Sequence, residues 1–174
     1  ARAGMTPVEL FLEETDRSDG TVMLSLPILN QDYEAIETML RDDSIVMGLA
    51  DAGAHVGQIM DSSQPTYFLS HWVRDTGFFS LEEGVRRITS DTADLFELAD
   101  RGRIVEGAYA DINVIDFDNL ALNGPEYVHD FPGGAGRYVQ RGVGYDATIV
   151  NGQVFMEHGE HTGALAGVTL RSTD

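Results

Sequence analysis

Apolar and polar positions follow two rhythms along this chain: helical spacing between short apolar runs up to about residue 102, and strand-like alternation beyond it. Thr6-Pro7-Val8-Glu9 predicts a helix start, with Thr at the N-cap, Pro in the first turn and Glu closing a capping box. Leu10 and Phe11 give that helix its apolar face, and Ser18-Asp19-Gly20 should end it. Thr21 to Ile28 predicts a strand, with Pro27 at its end because proline cannot donate to a sheet ladder. Asn30 is the expected cap of a second helix reaching about Leu40, with Tyr33, Ile36 and Leu40 on one face. Ile45 to Leu49 predicts a short buried strand. Strand, helix and strand in that order form a βαβ unit and imply two parallel neighbours.

A glycine-containing loop is expected from Asp51 through Asp61-Ser62-Ser63, followed by a helix over Pro65 to Arg74 with Phe68, Leu69, Trp72 and Val73 inward. Ser80-Leu81-Glu82-Glu83 predicts a second capping box, with Val85 and Ile88 facing inward, and a short helix should span Asp91 to Leu98. Beyond Arg103, Ile112 to Phe117 alternates as a half-buried strand. Asp146 to Val150, Asn151-Gly152 and Gln153 to Glu157 form a strong hairpin signal, since Asn-Gly suits a type I′ turn. Residues 103–174 therefore read as an antiparallel β module.

The 174 residues carry a net charge of −18, which argues against nucleic acid and anionic membrane surfaces as partners. All eleven basic residues are Arg, so the chain has no lysine for a Schiff base or a carbamate. The absence of Cys excludes disulfides, thiolate zinc sites and a Cys nucleophile, and fits a cytoplasmic location.

The candidate chemistry centres on Ile45-Val46-Met47-Gly48-Leu49-Ala50-Asp51-Ala52-Gly53-Ala54-His55. An acid just past the carboxyl end of a buried strand sits where α/β folds gather their chemistry. A structural reading stands beside this one, in which Asp51 caps the following turn. His55 is either a substrate contact or a solvated loop residue. His71, beside Trp72, suits packing; His158 and His161 suit an exposed turn better than a metal site; His129 carries no signal. Arg137 offers a bidentate donor for a substrate carboxylate, against an ordinary ion pair with one of the 29 acids. Gly133-Gly134-Ala135-Gly136 lacks the strand-before, helix-after context of a phosphate loop.

Taken together, several stretches resemble the C-terminal part of metal-dependent amidohydrolases of the N-acyl-D-amino-acid deacylase (D-aminoacylase-like) branch. They are Gly48 to His55, Thr66 to Asp75, Leu81 to Thr89, Asp100-Arg101-Gly102-Arg103-Ile104 with Gly107 and Ala110-Asp111, Val150-Asn151-Gly152, and Thr162-Gly163-Ala164-Leu165. The resemblance implies an α/β plus β fold. Residues 1–102 would be the end of a (β/α)8 barrel, with Thr21–Ile28 and Ile45–Ala50 as its last two strands. Residues 103–174 would be a small antiparallel β-sandwich module. It also implies a zinc-dependent hydrolase acting on the amide bond of N-acyl amino acids, of D configuration. Asp51 would be both a metal ligand and the catalytic base, and His55 a substrate contact.

The family's remaining metal ligands lie on earlier strands, and no His precedes His55. A catalytic zinc takes about three protein ligands and a water. On this reading the chain is a fragment, inactive alone. The edges of two parallel strands would be covered by an N-terminal barrel half or by a second copy in a homo-oligomer. The competing expectation is a non-catalytic β-rich binding module that self-associates.

Overall fold

A computed structural model describes residues 4–48, 50–60 and 62–171. Leu49, at the end of the predicted second strand, and Asp61, in the predicted loop, lie outside the described residues. The chain divides into two compact units, Ala1–Ile45 and Val46–Asp174.

The first unit is built on two helices. α1 (Pro7–Arg17) begins with the expected capping box: the Thr6 side chain accepts from the Glu9 amide, and the Glu9 carboxylate accepts from the Thr6 amide at 2.8 Å. That carboxyl is held below its usual range, chiefly by the Thr6 amide donating to it. α2 (Tyr33–Arg41) is capped by Asp32 and not by Asn30: Asp32 Oδ1 accepts from the Glu34 and Ala35 amides at 3.0 and 3.2 Å. Asn30 instead takes a left-handed turn conformation, φ +54°, which asparagine tolerates well. Neither helix contains a buried residue.

Among the described residues the two predicted parallel strands are absent. Thr21 to Ile28 joins no sheet, with Leu26 81% and Ile28 77% exposed, and neither residues 45–48 nor Ala50 forms a strand. A strand is completed by hydrogen bonds to a neighbour. Every strand pair among the described residues lies beyond Asp111, and every pair is antiparallel.

The second unit has a helical layer and three small antiparallel sheets. α3 (Gln64–Tyr67) runs directly into a π-helical segment (Phe68–Asp75). The predicted apolar face is correct: Phe68, Leu69, Trp72 and Val73 are all buried, together with Phe79. α4 (Leu81–Ile88) starts at Ser80, whose hydroxyl accepts from the Glu83 amide at 3.2 Å. Its inward face differs from expectation. Val85 is exposed and Ile88 half-buried, while Gly84 and Arg87 are buried. Gly84 lies so close to Val73 that a Cβ there would fall 2.4 Å from Val73 Cγ2, and Arg87 lays its guanidinium over the Phe79 ring at 4.7 Å. The missing side chain lets α4 press on the π segment, which turns Val85 outward. α5 (Ser90–Leu95) buries Ala93.

The strands are β1 (Ile112–Ile115), β2 (Ala121–Leu122), β3 (Glu126–Val128), β4 (Arg137–Val139), β5 (Gly142–Val143), β6 (Tyr145–Val150), β7 (Gln153–Glu157) and β8 (Glu160–His161). They pair as β1-β6-β7-β8, β2-β5 and β3-β4. The expected Asn-Gly hairpin joins β6 to β7, with both turn residues at positive φ. Two contacts tie the helical layer to the strands. Thr66 Oγ1 and the Tyr145 hydroxyl lie 2.7 Å apart, and the Arg74 guanidinium donates to the carbonyls of Phe117, Asp118 and Leu120.

Candidate functional site

The stretch after Asp51 folds as a run of tight turns. The Ala54 amide donates to the Asp51 carbonyl at 3.0 Å, and the Gln58 and Ile59 amides converge on the His55 carbonyl at 2.7 and 3.1 Å. Gly53 at φ +91° supplies the conformation the first turn demands. His55 sits at φ +46°, a left-handed position that is uncommon for a residue with a side chain. Asp51 and His55 thus share one loop, with both side chains exposed, and no hydrogen bond joins them among the described residues.

One backbone bond pins this loop: the Tyr138 amide of β4 donates to the Val56 carbonyl at 2.9 Å. Between the two runs a cavity of about 280 Å³. Val56, Ile59 and Met60 line it on the loop side, and Tyr138, Val139 and Gln140 on the other. Ala52, next to Asp51, also lines it.

β4 is itself firmly held. Arg137 makes a bidentate pair with Asp130, at 2.8 and 2.7 Å, and lies over the Phe131 ring. Hydrogen bonding to the guanidinium holds the Asp130 carboxyl below its usual range and raises Arg137 correspondingly. Of the two roles open to Arg137, the structure contains the ion pair. Gly136 lets the Tyr127 ring lie close beside it, where a Cβ would fall 2.3 Å from the ring.

The other histidines are engaged in packing and turns. His71 stacks on Tyr67 at 4.9 Å and meets Trp72 edge-on. His129 Nδ1 lies 2.9 Å from the Gly134 carbonyl. His158 occupies a left-handed turn position, and His161 Nδ1 accepts from the Gly163 amide at 2.8 Å. No group of three or more His, Asp or Glu residues among the described residues is arranged to hold a metal ion. Asp51 has no companion ligands here, so these residues do not fit a metal site by themselves.

The motif residues near the C-terminus form a clasp. Arg101 pairs with Asp111 and lies over Tyr109 at 4.3 Å. Asp111 Oδ1 accepts from the Asn151 amide at 2.8 Å, and the Gly152 amide donates to the Ala110 carbonyl at 3.0 Å. The Asp-Arg-Gly, Ala-Asp and Asn-Gly pieces are thus one structural joint. The cavity wall on β4 escaped sequence reasoning, because Val56 and Tyr138 are far apart in the chain and no local pattern links them.

A family model described as the amidohydrolase family matches residues 4–156. The D-aminoacylase of Alcaligenes xylosoxydans xylosoxydans is 33% identical over 105 residues, covering 60% of this chain and 20% of that protein. The N-acyl-D-glutamate deacylase of the same organism is 42% identical over 55 residues, 32% of this chain and 11% of that protein. A solved structure of a D-aminoacylase mutant in complex with copper chloride matches 62% of this chain and 21% of its own, at 33% identity and a TM-score of 0.50. The matches span a fifth or less of the length of both curated relatives.

Proposed function

The chain belongs to the amidohydrolase family, and we propose that it is part of an enzyme that hydrolyses the amide bond of N-acyl amino acids of D configuration. The observation that carries this reading is the exposed carboxylate of Asp51, at the head of a turn-rich loop whose next residue lines a cavity. The similarity to a D-aminoacylase and an N-acyl-D-glutamate deacylase supports the substrate class.

In this reading Asp51 is the general base. It accepts a proton from water as the water oxygen adds to the amide carbonyl carbon. It returns that proton to the amine nitrogen as the C–N bond breaks. His55, on the same loop, contacts the substrate. In the complete protein, residues 1–102, which form no strand among their described residues here, would complete the end of a (β/α)8 barrel, and residues 103–174 a β-sandwich module. Asp51 would also serve as one ligand of a zinc ion whose other ligands would come from elsewhere in the complete protein. The described residues make no metal site alone.

The test is Asp51→Asn in the complete protein, assayed on N-acyl-D-amino acids with the fold monitored by circular dichroism. A loss of about 10²- to 10⁴-fold in kcat with an intact fold is the expected result. Near-normal turnover would overturn the assignment.

A further inference from the structure

Asparagine followed by glycine occurs twice in this chain, at Asn123-Gly124 and at Asn151-Gly152. The dipeptide carries its own chemistry. The glycine backbone nitrogen can add to the asparagine side-chain carbonyl, because glycine has no Cβ to block the approach. The fold treats the two pairs oppositely.

Asn151-Gly152 is held at both reacting groups. The Gly152 amide donates to the Ala110 carbonyl at 3.0 Å, and the Asn151 side-chain amide donates to the Ala166 carbonyl. The Asn151 backbone amide donates to Asp111 Oδ1 at 2.8 Å, and Asn151 Oδ1 is buried. Attack there requires the Gly152 nitrogen to give up its hydrogen bond and the side chain to leave Ala166.

Asn123-Gly124 is held only behind the reacting atoms. The Asn123 amide donates to the Arg141 carbonyl at 2.9 Å, next to the β2-β5 pairing, and the Asn123 carbonyl accepts from the Gln140 side chain at 2.9 Å. Among the described residues, nothing hydrogen-bonds to the Asn123 side chain or to the Gly124 amide. Both residues are exposed, and a Cβ on Gly124 would meet no atom within 4 Å.

We propose that Asn123 is a site of spontaneous deamidation in the folded protein, and that the clasp around Asn151 protects the second pair. The Gly124 nitrogen bonds to Asn123 Cγ as its proton passes through solvent to the leaving nitrogen. The Cγ–Nδ2 bond breaks, ammonia departs, and a cyclic succinimide remains. Water then opens the ring. Addition at the former side-chain carbonyl gives aspartate; addition at the former main-chain carbonyl gives isoaspartate. In isoaspartate the main chain runs through Cβ and is one carbon longer, just past β2. Either product adds a carboxylate to a chain that already carries 29 acids.

The test is peptide mapping of the complete protein after storage at mildly alkaline pH, folded and in denaturant. Aspartate and isoaspartate forms are separated before mass analysis. In the folded protein the Asn123 peptide should convert about tenfold or more faster than the Asn151 peptide, because the Gly152–Ala110 and Asn151–Ala166 hydrogen bonds must first break. In denaturant the two should convert at similar rates. Gly124→Ala, which the open space admits, should suppress conversion at Asn123 alone, since the methyl group crowds the attacking nitrogen. Asp111→Ala should raise the rate at Asn151 toward that at Asn123; the denaturant arm tests the same release if this variant fails to fold. Equal rates in the folded protein, or faster loss at Asn151, would overturn the proposal. So would an Asn123 that converts in denaturant and not in the folded protein, or one that converts in neither.

Discussion

Gly84 shows how one missing side chain sets a helix orientation. Alanine is favoured over glycine inside a helix by about 1 kcal/mol, yet a Cβ at this position would fall 2.4 Å from Val73 Cγ2. Val73 is buried in the π segment and has little room to retreat. Overpacking of this kind destabilises by about 1 to 3 kcal/mol. Gly84→Ala should therefore lower the denaturant midpoint, and Gly84→Ala combined with Val73→Ala should recover part of the loss. A Gly84→Ala protein as stable as the parent would contradict the contact. The apolar pattern of α4 pointed to Val85 and Ile88 as the inward pair, because periodicity counts side chains and is blind to a residue that packs by lacking one. Asp32 displaced Asn30 as the α2 cap for a similarly local reason: its carboxylate reaches two of the helix's unpaired amides.

Among the elements, those legible in the sequence are the ones whose cause is local. The α1 capping box and the Asn151-Gly152 hairpin need only neighbours in sequence, and both formed as expected. Residues 21–28, 45–48 and 50 did not become strands, although their composition suits strands, because a strand's identity lies in its hydrogen-bond partners. The β3-β4 hairpin, whose span wraps the Gly133-Gly134 turn, rests on a different local device, the Asp130–Arg137 clamp. Because the folded-state pKa of Asp130 is depressed, the clamp contributes fully above the ordinary carboxyl pKa of about 3.9. That contribution fades as the pH falls through the lower folded value. The Arg137 Nε–H resonance should hold steady from pH 7 to pH 5 and move only below about pH 4, and Asp130→Asn should remove that acid transition. A transition between pH 7 and pH 5 would show that another group holds the hairpin.

At the scale of the whole molecule, charge dominates. Acids outnumber basic residues by 29 to 11, and exposed ion pairs such as Arg103–Asp94 and Arg137–Asp130 stabilise only weakly in water. Mutual repulsion among the surplus carboxylates outweighs them. Raising ionic strength from 0.1 to 1 M shortens the screening length from about 10 to 3 Å. The melting temperature should therefore rise by a few degrees, the shift that roughly 1 kcal/mol produces in a chain of this size. A fall in melting temperature would mean that the Arg–Asp pairs carry more than their geometry suggests. No helix among the described residues is long and apolar enough to cross a membrane.

The bond from the Tyr138 amide to the Val56 carbonyl joins a residue of the β module to the loop that carries Asp51. Its proton is sheltered only while loop and strand stay together. The exchange of that one hydrogen for deuterium is accordingly a clock for the excursions of the loop, readable in a protein that is turning over no substrate at all.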